Sequence, residues 1–271
     1  MSETLPTPLP ATDAEGWLVF AVHLPGVAAE LGEQRLDWAA ITPGTPAALA
    51  AAADVPPLWI NLDRMCERAQ RWIRESAGLD PTIADGLLED LTRPRVQDAA
   101  DGMLVILRGV NHNPGAEPDE LISMRMWVDP SRIITLRQHR FRTLADLRVA
   151  AESGRAPATT GGMLARIAAG LASRIGPSVD NLEDLLDEVE AEMLERDDEV
   201  PGARGRLSEI RRQAISLRRH LLPQRQAMQE LANFEHPVLD RAERGAMRAA
   251  AEQVARAVDS LEEIRDRAAV T

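Results

Sequence analysis

Short apolar runs separated by turn residues occupy the first 155 positions, a pattern that is typical of buried β-strands. Strands are predicted for five of these runs, at residues 17–22, 58–62, 103–110, 121–128 and 132–137. The last three follow one another through short connectors that contain Asn, Pro, Gly and Asp. Such connectors suit tight turns, so these three strands should form an antiparallel meander.

Three stretches of the same region carry helical signals, at residues 65–76, 81–91 and 143–151. The second has Pro81 in its first turn and Asp80 as a capping residue, both of which favour a helix start. Strands and helices in this arrangement predict an α+β fold, in which helices cover a mixed, largely antiparallel sheet in α/β/α layers. We assign this N-terminal domain to residues 1–155.

After Thr160 the strand signal disappears, and apolar residues recur every three or four positions, as they do along one face of a helix. A first stripe runs from position 164 to position 193 and predicts one helix, which a break at 199–202 ends. A second stripe, from 207 to 231, alternates like the a and d positions of a heptad, and Pro223 should bend its helix. A third stripe begins at position 247 and still continues at position 268.

Helices of about 30 residues are about 45 Å long, which is more than a compact domain of this size requires. We therefore predict that residues 156–271 form a long helical hairpin followed by a long stalk helix, with a partner surface along their length. Four apolar residues of the third stripe are expected to contact other helices of the assembly: Met247, Val254, Val258 and Leu261.

Composition narrows the class of protein. The chain is 45% hydrophobic and 27% charged, as soluble globular proteins are, and its formal net charge of −12 disfavours a general nucleic-acid binder. A single cysteine, Cys66, allows neither an internal disulfide nor a multi-thiolate zinc site, which fits a cytosolic compartment. Residues 1–15 lack the features of a signal peptide, and no run of eighteen apolar residues occurs.

Acidic residues are densest in residues 180–199, where eleven carboxylates stand with one base, Arg196. One interpretation is that arginines of the following segment neutralise them across the hairpin, each exposed pair contributing little. The other is that the excess carboxylates attract divalent cations loosely, without a shaped cage, with Glu183, Asp187 and Glu190 as the candidate residues. The arginines concerned are Arg204, Arg206, Arg211, Arg212, Arg218, Arg219 and Arg225.

Catalytic and cofactor motifs are missing from the sequence, which contains no Walker A, GxGxxG, GxSxG, HExxH or EF-hand pattern. None of the five histidines is spaced from another as helix-borne metal ligands are: His23, His112, His139, His220 and His236. We therefore expect no enzyme and no bound cofactor. The arginine run at 211–225 has no interleaved aromatic residues, so we expect no nucleic-acid partner.

Several strings taken together resemble the cytoplasmic domain of CorA-type metal-ion transporters. They are residues 88–95 (LEDLTRPR), 102–111 (GMLVILRGVN) and 123–138 (SMRMWVDPSRIITLRQ). The TRPR form and residues 211–225 (RRQAISLRRHLLPQR) are similar to the ZntB zinc-transporter branch of that family. The order and spacing of these strings, from about Trp17 to the C-terminus, make the resemblance specific.

The resemblance implies a funnel-shaped homopentamer that moves a divalent cation, zinc or magnesium, across the inner membrane, with this chain on the cytoplasmic face. It also implies a stalk that continues into two membrane helices with a Gly-Met-Asn or similar pore motif, both of which lie outside this sequence. The implied function is ion attraction, sensing and oligomerisation. The alternative is a soluble helical assembly or adaptor protein with no ion role, and the sequence that the native gene encodes after Thr271 would separate the two.

Overall fold

A mixed sheet forms the centre of the N-terminal region in the computed structural model, which describes residues 18–24, 56–195 and 201–270. Within these ranges the strands are β1 (Leu18–His23), β2 (Leu58–Asp63), β3 (Arg95–Ala99), β4 (Gly102–Val110), β5 (Leu121–Val128) and β6 (Arg132–Arg137). Their order in the sheet is β1-β2-β6-β5-β4-β3. Strands β2 and β6 run parallel, whereas every other neighbouring pair is antiparallel. The predicted meander β4-β5-β6 is confirmed.

Helices cover both faces of this sheet. Helices α1 (Glu67–Glu75) and α2 (Pro81–Leu88) pack on the face that carries Leu104, Ile106 and Trp127. Helices α3 (Arg142–Glu152) and α4 (Thr160–Ala172) contribute to the core on the opposite face. Successive strand residues point to opposite faces, so the continuous apolar runs serve both layers. The predicted α/β/α layering is confirmed.

Two details of the layered region differ from the prediction. Strand β3 was not predicted, because its sequence, Arg-Val-Gln-Asp-Ala, is largely polar and lies at the edge of the sheet, where neither face must be fully buried. Helix α2 starts as predicted, since the Asp80 carboxylate accepts the Thr82 N–H at 2.8 Å, but it ends at Leu88 and leaves Leu91 exposed. The predicted strand residue Trp17 lies outside the described residues.

Three long helices follow α4, namely α5 (Gly176–Glu195), α6 (Ala203–Asn233) and α7 (Arg241–Val270). The prediction of one continuous helix along the first stripe is wrong, because α4 ends at Ala172 and α5 begins at Gly176. Pro177 has no N–H to donate to the Ser173 carbonyl, so a new helix starts around it. Helix α6 begins after Gly202, whose φ of 80° ends the connection from α5. It continues through Pro223, and the bend there stays a prediction.

Helix α7 folds back along α6, and their apolar stripes form one core with α4 and α5. The heptad positions of α6 from Leu207 to Leu231 are buried, as predicted. The four apolar residues of the third stripe face other helices, as expected, but those helices belong to the same chain. Met247, Val254 and Leu261 are 0% exposed and Val258 is 2% exposed within a single chain. They are buried because α7 packs on helices of its own chain.

Helix α6 is also attached to the sheet by one buried amide. The Gln224 side chain accepts the Arg108 backbone N–H at 2.5 Å and donates to the Arg108 carbonyl at 2.8 Å. Arg108 lies beyond the last β4 residue that pairs with β3, so the amide takes the place of a neighbouring strand. The apolar core continues from the sheet into the long helices, and the division at residue 155 stays a prediction.

Candidate cation-attracting surface

Eight carboxylates and no basic side chain occur on α5 between Gly176 and Glu195. One side of the helix carries Val179, Leu182, Leu186 and Val189, which are buried against the neighbouring helices. This apolar side leaves the acidic residues on the remaining surface, as amphipathicity requires. The result is an exposed, strongly negative helix face, which we call the acidic face of α5.

The three candidate residues Glu183, Asp187 and Glu190 lie at i, i+4 and i+7 and therefore share one side of α5. The structure brings them together around Arg267 of α7. The Arg267 Nη2 atom lies 2.5 Å from Asp187 Oδ1 and 2.5 Å from Glu190 Oε2, and Nη1 lies 3.9 Å from Glu183 Oε1. The hydrogen bond to Glu190 raises the pKa of the Arg267 guanidinium most, and the hydrogen bond to Asp187 raises it further.

The cluster is open to solvent. The side chains of Glu183 and Asp187 are 44% and 58% exposed, and that of Arg267 is 37% exposed. Exposed ion pairs of this kind contribute little to stability, and salt screens them. A divalent cation that approaches these carboxylates therefore competes with a solvent-exposed guanidinium for the same oxygen atoms.

Neutralisation across the α5–α6 hairpin, the other interpretation of the sequence, involves Arg206, which pairs with Glu192. Two other arginines of α6 have partners outside α5 in the described structure. Arg212 pairs with Glu209 of its own helix and with Asp119, and Arg218 pairs with Glu262 of α7. Part of the negative charge of the acidic face is therefore neutralised by Arg267 of α7, a helix that the interpretation of the sequence did not include.

A shaped metal site is not found in the described ranges 18–24, 56–195 and 201–270, where no three His, Cys, Asp or Glu side chains are grouped to hold a metal ion. Burial, followed by the charges of Arg108, Arg219 and Arg93, lowers the pKa of His220 to about 4, and the same positive charges repel a metal cation. His236 accepts the Val238 N–H at Nδ1, and its Nε2 lies 3.9 Å from Asp98 Oδ1. Neither histidine therefore supplies a ligand cluster.

Arg267 is the residue of this candidate surface that sequence reasoning missed. It lies 77 positions from Glu190, and only the return of α7 alongside α5 brings the two together. The available signal was weak, because arginines and acids alternate along most of α7 and nothing distinguishes Arg267 among them.

In the described parts of the chain no helix is both long enough and apolar enough to span a membrane.

The described chain thus combines an α/β/α layered domain with a following long-helix region, whose first long helix carries the acidic face. The sequence model of the CorA-like Mg²⁺ transporter protein family matches residues 57–271, and the chain belongs to this family. The divalent cation transporter CmaX of Pseudomonas aeruginosa is 40% identical over 179 residues, which are 66% of this chain and 54% of that relative. The zinc transport protein ZntB of Yersinia enterocolitica is 30% identical over 230 residues, 85% of this chain and 69% of the relative. The chain thus spans about half of CmaX and about two thirds of ZntB.

Solved structures agree with this assignment. The structure of full-length CmaX matches 96% of this chain, and the match includes 76% of the CmaX chain in that structure. The identity is 33% and the TM-score is 0.83. The ZntB cytoplasmic domain of Vibrio parahaemolyticus covers 79% of this chain, at 23% identity and a TM-score of 0.71, and this likeness concerns the fold alone. The resemblance found in the sequence is confirmed.

Proposed function

We propose that this chain is the cytoplasmic part of a divalent-cation transporter of the CorA family, with Zn²⁺ as the transported ion. In this proposal the full protein is a homopentamer in the inner membrane, and residues 156–271 connect the layered domain to its membrane helices. The observation that carries the proposal is the agreement of almost the whole chain with the full-length structure of a relative named CmaX. The curated CmaX relative is named as a divalent cation transporter.

The acidic face of α5 supports a role in collecting cations. Its carboxylates are exposed, and a surface of one charge raises the local concentration of counter-ions without fixed ligands. Glu183, Asp187 and Glu190 offer oxygen atoms alone, which suit Mg²⁺ as well as Zn²⁺. We infer that this face attracts divalent cations weakly and does not select among them, so the choice of Zn²⁺ is made elsewhere in the full protein.

One observation favours the alternative, a helical assembly protein without an ion role. The three candidate carboxylates already contact Arg267, so part of the acidic face is neutralised within the chain itself. The two functions differ in what they require of the full gene product. A transporter must carry ions across a bilayer, whereas an assembly protein need only form its oligomer.

The test is ion flux into proteoliposomes that contain the full product of the native gene, with a zinc-sensitive dye inside. We expect Zn²⁺ entry above that of protein-free liposomes, together with a pentameric mass by sedimentation in detergent. Parallel assays with Mg²⁺ measure selectivity. Assembly without flux of either ion would overturn the transport proposal, and flux of Mg²⁺ but not Zn²⁺ would overturn the assignment of zinc.

A further inference from the structure

A polar cavity of about 180 Å³ lies at one end of the sheet, on the face that α1 and α2 cover. The parallel strands β2 and β6 end here, at Asp63 and Arg137, and β5 begins beside them at Leu121. Seven polar side chains that line it come from these strands, from the residues next to their ends and from the segment after α2: Arg64, Asp90, Glu120, Ser123, Arg125, Gln138 and His139. The cavity is separate from the acidic face of α5, and neither the family assignment nor the proposed transport explains it.

Arg125 is the unusual residue of this cavity. It stands in the middle of β5, opposite Leu136 of β6 and Ile106 of β4, and it is only 4% exposed. Its Nη2 atom donates to the Asp90 carbonyl at 3.3 Å, whereas Nε and Nη1 have no hydrogen-bond acceptor in the described structure. Burying a guanidinium without hydrogen-bond acceptors costs free energy. A ligand that supplies these acceptors should therefore bind favourably.

The charges around Arg125 compensate it only in part, because burial, Arg64 and Arg108 lower its pKa whereas Asp90 and Glu89 raise it. Arg64, 6% exposed, lies in the same cavity and has its own partners, with Nη2 bonded to Gln138 at 2.9 Å and Nη1 to Asp90 at 3.1 Å. Asp90 is 93% exposed, so water screens its charge. Glu120 also lines the cavity, and its Oε1 accepts from Asn111 at 2.7 Å. Burial first, and then the charge of Arg64, lower the pKa of Arg125 to about 10, and the guanidinium remains protonated at pH 7.

We propose that this cavity binds a small oxyanion of the phosphate class, held by the guanidinium groups of Arg125 and Arg64 and by the Ser123 hydroxyl. A planar guanidinium presents paired donors that match phosphate oxygens, and the bonds are charge-assisted. A volume of about 180 Å³ admits inorganic phosphate together with some water.

The experiment titrates the chain with inorganic phosphate, AMP, acetate and MgCl₂ at constant ionic strength set with NaCl. Calorimetry gives each Kd, and thermal unfolding gives the shift of Tm. Phosphate at 100 times its Kd should raise Tm by about 5 °C over chloride. Tighter binding of AMP than of phosphate would support the same chemistry with a phosphomonoester as the source. No shift by either, or a shift by Mg²⁺ alone through Asp90 and Glu120, would overturn the proposal.

The variant Arg125→Met separates a binding role from a structural one, with Arg166→Gln on the exposed surface of α4 as the matched control for charge. Arg125→Met should weaken phosphate binding at least tenfold, whereas Arg166→Gln should leave it unchanged. Without phosphate, Arg125→Met should unfold at the same Tm as the original chain or at a higher one, because the buried cation lacks acceptors. Lower stability of Arg125→Met in both buffers, with phosphate affinity retained, would mean that Arg125 has a structural role only.

Discussion

The layered region and the long-helix region treat polar groups in opposite ways. In the described part of the layered region, several charged side chains are buried, among them Arg64, Arg125, Asp129 and Arg132. In the described part of α5, α6 and α7, Gln224 is the buried polar residue, and charged side chains lie at the surface or its margin. Polar contacts in the layered region are therefore individually important, whereas the long helices depend on repeated apolar contacts.

This difference separates two kinds of electrostatics in one chain. Buried charges of the layered region need specific partners close by, because the interior leaves an unpaired charge without the solvation that water would give it. The acidic face of α5 acts through its total charge, and salt reduces its effect. Substitutions that separate a buried charge of the first region from its partner should consequently be severe, and substitutions on the surface of the second region should be mild.

The largest effect is expected for Asp129, which organises the β5–β6 turn. Its carboxylate accepts from Trp127 Nε1 at 2.8 Å, from the backbone and hydroxyl of Ser131, and from the backbone and Nε of Arg132, the last at 3.0 Å. Asp129→Ala leaves the buried Arg132 without its carboxylate, so the free energy of unfolding should fall by about 4 kcal/mol. Urea unfolding measures this, with exposed Asp101→Ala as the control. Equal stability of the two variants would contradict buried-charge dependence.

A smaller loss is expected at the junction of the two regions. Gln224→Leu keeps the volume of the side chain but leaves the Arg108 N–H and carbonyl without partners, which should cost about 3 kcal/mol. Gln226→Ala, on the exposed side of the same helix, should change stability by no more than about 0.5 kcal/mol. If Gln224→Leu proves neutral, the amide is not what holds α6 to the sheet.

His220 should make the stability depend on pH. Its pKa falls from about 6.5 in the unfolded chain to about 4 in the folded one, through burial and the charges of Arg108, Arg219 and Arg93. As pH falls from 6.5 to 4, the unfolded state takes up a proton that the folded state does not, so stability is lost over that range. His220→Asn should lose less stability between pH 7 and pH 5, and exposed His139→Asn should behave like the original chain. Identical pH profiles for all three would refute this.

The smallest effect is expected for Arg206, whose pair with Glu192 joins α5 to α6. The hydrogen bond to Glu192 raises the pKa of the fully exposed Arg206 guanidinium, but solvent screens this pair. Arg206→Gln should leave Tm unchanged within error at physiological salt, as measured by thermal unfolding. A clear fall in Tm would show that the hairpin is held by charge as well as by its apolar stripe.

The same contrast explains what the sequence could reveal. Apolar runs identified β2, β4, β5 and β6, and apolar stripes identified α6 and α7, because burial leaves a regular pattern. Polar edge strand β3 leaves no such pattern. The contact between Arg267 and Glu190, like the cavity beside Arg125, depends on the three-dimensional arrangement of distant segments. Arg125 itself, however, is visible in the sequence as a charged residue within the apolar run of β5, which indicates an unusual buried position.

The central claim is that Glu183, Asp187 and Glu190 collect divalent cations as a charged surface, in competition with Arg267. Calorimetric titration with Zn²⁺ at low and high salt tests it, with Arg267→Gln as the variant and Arg265→Gln, which removes a pair with adjacent Asp266, as the matched control. The claim predicts weak binding that high salt abolishes, several-fold tighter binding for Arg267→Gln alone, and loss of binding when the three acids become Gln. Binding that survives high salt and the triple substitution would contradict it and indicate a shaped site elsewhere in the chain.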